Sequence, residues 1–432
     1  MTQQWYYAHA FNGHSGWFGG VRSVATSPDS QVIASGSDDN TIKLWDLNTG
    51  QEKLTLSGHS SAVRSVTFSR DGRNLASGSD DKTIKLWDLR TARAIHTLHG
   101  HSKSVTTVAI SCDGKFLISG SDDNTVKVWC LESCKEVTTL SGHSNYIQSV
   151  AISPDGKLIA SSSCDNTIKI WALRNGQEKL TLSGHSSAVR TIAFTCNGKG
   201  LVSGSDDKTI KIWHLETGRL VQTLSGHSGN VWSVSISPDG QTLASSSDDK
   251  KIKLWRLING ELVSTISGHS AGISSIAFCA GGQVLASSSW DKTVKLWLSE
   301  TALPKFNVAK WVSGMFGLKQ NQPISTVPNF ILLKAQENIA KEAEEQHRRE
   351  EQRRLEEQRV QEWRRQEKQR RIQEQYQSEE QSRKAEQNAK IAWGVTKATW
   401  NAVGNVVNKD YVKGYKRKDG TYVKGHYRRK HN

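Results

Sequence analysis

The sequence is short of the features that mark membrane-spanning, disulfide-bonded and metal-binding proteins. No stretch reaches the roughly 18 apolar residues that a membrane-spanning helix needs, and the start has no basic region followed by a long apolar run. Six cysteines lie within the first 298 residues without paired zinc-ligand spacing, so free thiols in a reducing cytosol are expected. We therefore expect a soluble, cytoplasmic protein.

Signals for bound groups are also scarce. There is no glycine-rich loop of the kind that cradles phosphate, and no cofactor or metal is predicted. One C-x3-C pair, Cys130 and Cys134, leaves a disulfide bridge or a metal ligand pair open, although a single such pair is weak evidence.

What the sequence does contain is a repeat of 42 residues. Tryptophan recurs at this interval seven times without an insertion, at Trp45, Trp87, Trp129, Trp171, Trp213, Trp255 and Trp297. A period of about 40 to 45 residues is typical of stacked four-stranded sheets. Each copy has short runs rich in β-branched residues, separated by turn signals such as Asp71-Gly72. The period therefore predicts an all-β ring in which each copy forms one blade.

Three other residue types keep a fixed place in every copy: the histidine of a Gly-His pair, a serine ten residues before the tryptophan and an aspartate six residues before it. With the tryptophan, the sets in copies two to seven are His59, Ser77, Asp81, Trp87; His101, Ser119, Asp123, Trp129; His143, Ser161, Asp165, Trp171; His185, Ser203, Asp207, Trp213; His227, Ser245, Asp249, Trp255; and His269, Ser287, Asp291, Trp297. Copy one carries His14, Ser35, Asp39 and Trp45. An active site is built once, so seven equivalent sets favour a structural role over a Ser-His-Asp nucleophile triad.

These motifs resemble the WD40-repeat family through Gly-His, the serine-rich strand, the turn aspartate and the Trp-Asp pairs Trp45-Asp46 and Trp87-Asp88. The resemblance covers residues 4–298 and is to propellers of the bacterial scaffold type. It implies a seven-bladed β-propeller in which residues 4–10 complete the last blade, and a hydrogen-bonded tetrad of histidine, serine, aspartate and tryptophan in each blade. A second serine, eight residues before each tryptophan, is equally constant, so the identity of the tetrad serine stays open.

Two positions beside the constant residues vary between copies and are predicted to face a partner at the rim of the ring. The candidate rim residues are Arg22, Arg64, Tyr146, Gln148, Arg190, Trp232 and Trp290. Aromatic and arginine side chains dominate the free energy of protein interfaces, and a mixed-charge patch suits peptide recognition. The alternative is that two of the three aromatic residues only pack locally. We predict a monomeric, non-enzymatic scaffold that binds protein or peptide partners at this rim.

The last third of the chain differs in charge and composition. Up to residue 298 there are 29 Lys and Arg against 25 Asp and Glu, and afterwards 28 against 17. Residues 299–335 predict a linker with a short amphipathic helix. Residues 336–386 contain neither proline nor glycine and place Glu four residues before Arg or Lys repeatedly, which favours a charged single α-helix over a coiled coil. Whether this helix self-associates stays open.

Residues 387–432 predict a small module made of an apolar helix and a basic β-hairpin around Asp419-Gly420. Residues 409–432 hold nine Lys and Arg against two Asp, which suits nucleic acid or an anionic membrane. The alternative function is therefore a nucleic-acid- or membrane-tethering adaptor whose basic C-terminus is the targeting element. The sequence does not identify the partner.

Overall fold

The computed structural model describes residues 4–15, 20–47 and 49–300, together with single positions and short strands between residues 367 and 427. The chain divides into two compact units, residues 1–347 and 348–432. The predicted linker 299–335 lies outside the described residues except at its first two positions, and the predicted helix 336–386 does so apart from four positions.

Seven four-stranded antiparallel sheets form the first unit within residues 4–300. Strands β2 (Val21–Thr26), β3 (Val32–Ser37), β4 (Thr41–Asp46) and β5 (Glu52–Ser57) form blade one. Strands β6 (Val63–Phe68), β7 (Asn74–Ser79), β8 (Ile84–Asp88) and β9 (Arg93–Leu98) form blade two. Strands β10 (Val105–Ile110), β11 (Phe116–Ser121), β12 (Thr125–Cys130) and β13 (Lys135–Ser141) form blade three. Strands β14 (Ile147–Ile152), β15 (Leu158–Ser163), β16 (Thr167–Ala172) and β17 (Glu178–Ser183) form blade four.

The remaining blades repeat this order. Strands β18 (Val189–Phe194), β19 (Gly200–Ser205), β20 (Thr209–His214) and β21 (Arg219–Ser225) form blade five. Strands β22 (Val231–Ile236), β23 (Thr242–Ser247), β24 (Lys251–Arg256) and β25 (Leu262–Ser267) form blade six. Strands β26 (Ile273–Cys279), β27 (Val284–Ser289) and β28 (Thr293–Ser299) belong to blade seven, and a 3-10 turn, Ala280–Gly282, joins the first two. The prediction of an all-β, seven-bladed propeller is confirmed.

Blade seven takes its fourth strand from the beginning of the chain. Strand β1 (Trp5–Asn12) pairs antiparallel with β28, and the ladder runs from Trp5 opposite Ser299 to Asn12 opposite Thr293. The pairing covers an otherwise open strand edge, the usual hazard of an unclosed sheet. Phe11 is buried against Trp45 of blade one, with ring centroids 5.1 Å apart, so β1 also joins blade seven to blade one.

The hydrophobic core lies between successive blades. In blade one, Ile42 and Leu44 of β4 point inward, whereas Lys43 between them does not, as the alternation of a strand requires. These two residues pack against Val63 and Trp87 of blade two in one buried cluster. Equivalent clusters form between the other blades, so each conserved tryptophan is buried against the blade that precedes its own.

The first strand of each blade lies nearest the axis of the ring, next to the first strands of its two neighbours. Hydroxyl groups join these strands across the gap between blades. The Val66 amide donates to Ser23 Oγ at 3.2 Å and the Val108 amide donates to Ser65 Oγ at 3.1 Å. The Val24 amide donates to Ser275 Oγ at 3.3 Å, which closes the ring between blades seven and one.

Each first strand carries a β-bulge at its second residue. In blade one Val21 pairs with Ser37 and Ser23 pairs with Gly36, so Arg22 between them has no partner in the ladder. The same shift leaves out one residue in every other blade: Arg64, Thr106, Gln148, Arg190, Trp232 and Ser274. A bulge turns a side chain out of the regular alternation. We call this place the bulge position.

In the second unit the described residues are few. Five isolated positions between 367 and 387 are helical, and Lys384 Nζ lies 2.7 Å from the Glu380 carboxylate, four residues away. The extent of the charged helix stays a prediction. Short antiparallel strands also pair in this unit: β29 (Tyr411–Val412) with β32 (His426–Tyr427), and β30 (Tyr415–Lys416) with β31 (Tyr422–Val423). Across the part of the chain with assigned structure, no helix is long and apolar enough to cross a membrane.

Candidate functional site: the tetrads and the rim

Four side chains in blade two form a linear chain of hydrogen bonds. Trp87 Nε1 donates to Ser77 Oγ at 2.8 Å, Ser77 Oγ lies 2.7 Å from His59 Nε2, and His59 Nδ1 lies 2.7 Å from Asp81 Oδ2. The corresponding distances in all seven blades span 2.8 Å, 2.7–2.9 Å and 2.7–2.8 Å. The serine in this chain is the one ten residues before the tryptophan.

The serine eight residues before the tryptophan has a different task. In blade two it is Ser79, whose hydroxyl donates to the carbonyl oxygen of Ser61 at 3.1 Å and accepts from the Asp81 amide at 3.1 Å. It therefore holds the turn that carries the tetrad aspartate, and its constancy in every copy follows from that turn. The sequence alone did not separate the two serines, because both are invariant between the copies.

The direction of the hydrogen bonds fixes the protonation of the tetrad. The ionised Asp81 can only accept, so His59 carries its proton on Nδ1; the Nε2 of a neutral imidazole then accepts, and Ser77 donates its proton to it while accepting from Trp87 Nε1. Burial lowers the pKa of His59 below its ordinary value, with partial opposition from Asp81. Burial acts to raise the pKa of Asp81, but hydrogen bonds from Thr83 and His59 outweigh it and lower that pKa to about 2. The tetrad thus joins a neutral imidazole to a carboxylate.

The tetrad serines are fully buried in all seven blades. Ser77 is fully buried, and its hydroxyl is already used by a donor and an acceptor. Asp81 Oδ2 also accepts from the amide of Ser60, which ties the Gly-His loop to the turn between β7 and β8. A nucleophile needs an accessible oxygen, and the Ser77 hydroxyl is not accessible.

Sequence reasoning missed two parts of this arrangement. Thr83 Oγ1 donates to Asp81 Oδ1 at 2.6 Å, and six copies carry threonine at this place, two residues after the aspartate, whereas blade six has Lys251. The residue between them, Lys82 in blade two, has a φ of 69°. In the other copies this left-handed position is asparagine or lysine. The recurring Asp-x-Thr triplet was the signal that would have revealed both.

The rim positions are brought together in pairs. The bulge-position residue of a blade faces the residue directly before its tetrad aspartate, which we call the turn position. Arg22 Nε lies 2.6 Å from Asp38 Oδ1 in blade one, and Arg64 Nε lies 2.7 Å from Asp80 Oδ1 in blade two. The three predicted rim arginines are therefore already paired with aspartates of their own blades, a contact that the sequence analysis did not include.

Blade five has the most complete pair. Arg190 Nε and Nη2 lie 2.8 and 2.6 Å from the two carboxylate oxygens of Asp206, and Nη1 donates to Gln148 Oε1 of blade four at 3.0 Å. Such a two-point contact between a guanidinium and a carboxylate combines charge with fixed geometry. It also places Gln148 beside Arg190, so two of the predicted rim residues meet across a blade boundary.

Two of the predicted aromatic residues pack on each other. The Trp232 and Trp290 ring centroids lie 5.0 Å apart at 81°, and the Arg190 guanidinium stacks on Trp232 at 4.7 Å from its centroid. Trp232 Nε1 donates to Asp248 Oδ1 at 2.7 Å, so an indole takes the place of arginine in blade six. Both tryptophans are half-buried. Arg190, Trp232 and Trp290 thus form one stacked group across blades five to seven, which we call the ledge.

Tyr146 stands apart from this ledge, in blade four. Its side chain is 43% exposed, and Lys103 Nζ lies 5.3 Å from the centroid of its ring. Six of the seven predicted rim residues thus contact one another or a turn-position aspartate, and Tyr146 is the more exposed seventh.

A separate cavity of about 550 Å³ lies between blades two and three, away from the rim. Elsewhere the glycine of one turn packs against a proline or cysteine of the preceding blade, as Gly72 does against Pro28. Here the preceding residue is Arg70, and a Cβ at Gly114 meets no atom within 4 Å. Arg70 Nη1 instead donates to the carbonyl oxygen of Cys112 at 2.9 Å. This single replacement leaves the gap open.

The cysteines are free, and those of the C-x3-C pair differ in environment. A hydrogen bond from Ser133 lowers the pKa of Cys130, whereas burial raises the pKa of Cys134. Neither residue is part of a disulfide bridge in this structure. In the part of the chain that the structure covers, no cluster of histidine, cysteine or acidic residues is arranged to hold a metal ion.

Family models match almost the whole ring. Residues 6–172 match the model described as WDR3 first beta-propeller domain, and residues 176–214, 218–256 and 260–297 match the model described as WD domain, G-beta repeat. The domain is a WD40-repeat β-propeller. Each of the last three matches begins with the outer strand of one blade and covers the first three strands of the next, from β17 to β28, and the family fits a protein-interaction role.

Curated relatives of this WD40 propeller match only a short segment. Pre-mRNA-splicing factor PRP46 of Eremothecium gossypii and of Saccharomyces cerevisiae are each 48% identical over 56 residues, which is 13% of this chain and 12% of theirs. Protein pleiotropic regulatory locus 1 of Arabidopsis thaliana is 47% identical over 53 residues, 12% of this chain and 10% of its own. The shared segment is little longer than one 42-residue repeat.

Two expectations from the sequence change with these relatives. The comparison contradicts the predicted cytoplasmic location, because the relatives are named as pre-mRNA-splicing factors and pre-mRNA is spliced in the nucleus. The relatives are eukaryotic, so the bacterial scaffold type is not supported.

Proposed function

We propose that the WD40 propeller is a non-catalytic scaffold that binds a protein or peptide partner at its rim. The observation that carries this proposal is the set of seven bulges, which places one variable side chain per blade at the same edge of the ring. The tetrads beside them are nearly identical in geometry. A constant framework with variable residues at one edge is the arrangement that a recognition surface requires.

The side chains at this edge have the properties of an interface. The stacked Arg190, Trp232 and Trp290 have little freedom to lose on binding, since each is already held by a ring contact or a hydrogen bond. Preorganised aromatic and arginine groups contribute most of the free energy at many interfaces. Tyr146 adds an exposed aromatic face at the same rim.

The test is partner capture with the full-length chain. Wild type, the double variant Trp232→Ala and Trp290→Ala, and Val137→Ala are compared, with all proteins first checked by thermal melting. Val137 is 56% exposed on an outer strand and serves as the matched control. We expect the double variant to lose the captured protein and Val137→Ala to retain it. Equal capture by all three would refute the rim as the binding surface.

The second candidate function assigns targeting to the C-terminal unit. Nine lysines and arginines in residues 409–432, with paired short strands in the same segment, favour an anionic partner such as nucleic acid or an acidic membrane. The full chain and a version ending at residue 408 are compared for retention on DNA and on anionic vesicles at low and high salt. Salt-sensitive retention by the full chain alone supports a tether, and no retention at low salt refutes it.

A further inference from the structure

Blade three lacks the side chain that pairs with the turn-position aspartate in its neighbours. Thr106 occupies the bulge position, and its Oγ1 lies 2.7 Å from the carbonyl oxygen of Ile147 and 3.1 Å from that of Gly120, so its single proton is directed to these two backbone acceptors. It therefore does not reach Asp122. Within the described propeller, the Asp122 carboxylate makes neither a hydrogen bond nor an ion pair, whereas the other four turn-position aspartates each have a partner from the bulge position.

The backbone around Asp122 is the same as in the paired blades. Its amide donates to the carbonyl oxygen of Ser104 at 3.0 Å, just as the Asp80 amide donates to that of Ala62 at 2.9 Å in blade two. The carboxylate thus has the placement that receives a guanidinium in blade two. What differs is the group opposite, threonine instead of arginine.

The surroundings of Asp122 favour an added cation. Burial raises its pKa, Arg64 and Lys103 lower it, and the carboxylates of Asp80 and Asp123 raise it again. A half-buried carboxylate without a hydrogen-bond partner is a costly group that an incoming donor stabilises. Lys103, one of the two cations that act on Asp122, lies with its Nζ 5.3 Å from the centroid of the Tyr146 ring.

We propose that blade three is the subsite for an arginine side chain of a partner peptide, whose guanidinium pairs with Asp122. The inference rests on the proposed function of the rim and names the chemistry of its ligand. The protein already contains such a contact, because two nitrogens of Arg190 pair with the carboxylate of Asp206. Arginine rather than lysine is specified, because only the planar guanidinium offers two parallel donors to one carboxylate.

The test uses full-length protein and a displayed library of random heptapeptides as the probe. Wild type is compared with Thr106→Arg, which supplies the missing guanidinium from the chain itself, and with Asp122→Asn. Val137→Arg is the matched control: it adds the same charge to an outer strand of blade three, where the side chain is 56% exposed and lies outside the rim positions.

We expect wild type and Val137→Arg to select peptides with arginine enriched at one position. Thr106→Arg and Asp122→Asn lose that enrichment. The Kd of a selected peptide, measured by fluorescence anisotropy, rises at least about tenfold in both, since Thr106→Arg occupies the Asp122 carboxylate and Asp122→Asn removes its charge. Thr106→Arg should melt near the wild-type temperature, because blades one, two and five carry arginine at this position.

Three results would overturn the subsite. Arginine enrichment that persists in Thr106→Arg and Asp122→Asn would place the guanidinium elsewhere. Peptides that bind in a Trp232-dependent manner but without arginine preference would remove the subsite while leaving the rim function intact. If no peptide depends on any rim residue, both the subsite and the proposed function fail.

Discussion

Two adjacent serines in β15 offer the sharpest test of how the ring is held together. Ser161 and Ser162 are both fully buried. Ser161 Oγ accepts from Trp171 Nε1 at 2.8 Å and lies 2.9 Å from His143 Nε2. Ser162 Oγ has no hydrogen-bond partner among the described residues. The same chemical change, serine to alanine, therefore removes two hydrogen bonds at one position and none at the next.

The magnitudes follow from the partners left behind. Ser161→Ala leaves a buried indole N–H and a buried imidazole nitrogen unsatisfied, and each such group costs about 1–3 kcal/mol. We expect a loss of about 2–5 kcal/mol, or roughly 4–10 °C in Tm for a domain of this size. Ser162→Ala removes an unpaired buried hydroxyl, and the equivalent residue in blades one, two, three and five is glycine. Its effect should lie between zero and a stabilisation of about 1 kcal/mol.

The assay is thermal and urea unfolding of the full chain, followed by tryptophan fluorescence. A melting temperature that falls equally in Ser161→Ala and Ser162→Ala would refute the reasoning, because it would mean that loss of the side chain, rather than of its hydrogen bonds, sets the effect. Ser245→Ala and Ser246→Ala in blade six repeat the comparison, since Ser246 Oγ is also unpaired.

Three further outcomes can be checked by unfolding measurements. The free energy of unfolding should decrease as the pH is lowered, because a group whose pKa is lowered by folding stabilises the fold only above its ordinary pKa. The His59 contribution is lost below about pH 6.5. The Asp81 contribution is lost between about pH 4 and its lowered pKa of about 2. A urea midpoint that stays constant from pH 7 to 3 would contradict this. Phe11→Ala should lower the free energy of unfolding by about 3–5 kcal/mol, since its ring is buried. A decrease no larger than that of a surface substitution would disprove the role of β1 in closing the ring. Leu262→Glu should stabilise the fold by about 0.5–1 kcal/mol, because it gives Lys253 the acidic partner that Lys43 has in blade one. Burial lowers the pKa of Lys253, so this lysine lacks that support now. An unchanged urea midpoint would contradict this prediction.

Most of the architecture was predictable because it is repetitive. A 42-residue period with tryptophan, histidine, serine and aspartate at fixed offsets admits one kind of unit, and seven copies admit one kind of ring. The pairing of Trp5–Asn12 with β28 lies where the missing fourth strand of the last copy placed it. Local pattern was sufficient here, because every blade satisfies the same hydrogen bonds and buries the same face.

The contacts between unlike residues were not predictable in this way. Nothing in the sequence indicated that Arg190 stacks on Trp232 or that Asp122 is left without a partner, because both depend on the bulge that brings distant positions face to face. Charge counts predicted a mixed patch of aspartates and arginines. In the folded ring these aspartates and arginines pair within their own blades, and Asp122 is the exception.

The sequence by itself determined the number of blades, the tetrads and the place of ring closure, because a repeated motif can meet its hydrogen-bonding needs only in one repeated geometry. The tertiary structure decided which of two invariant serines belongs to the tetrad, which rim charges are paired and which turn-position carboxylate, that of Asp122, has no partner among the described residues. These depend on the direction and reach of side chains across strands 16 residues or more apart, and such distances exist only once the sheet has formed.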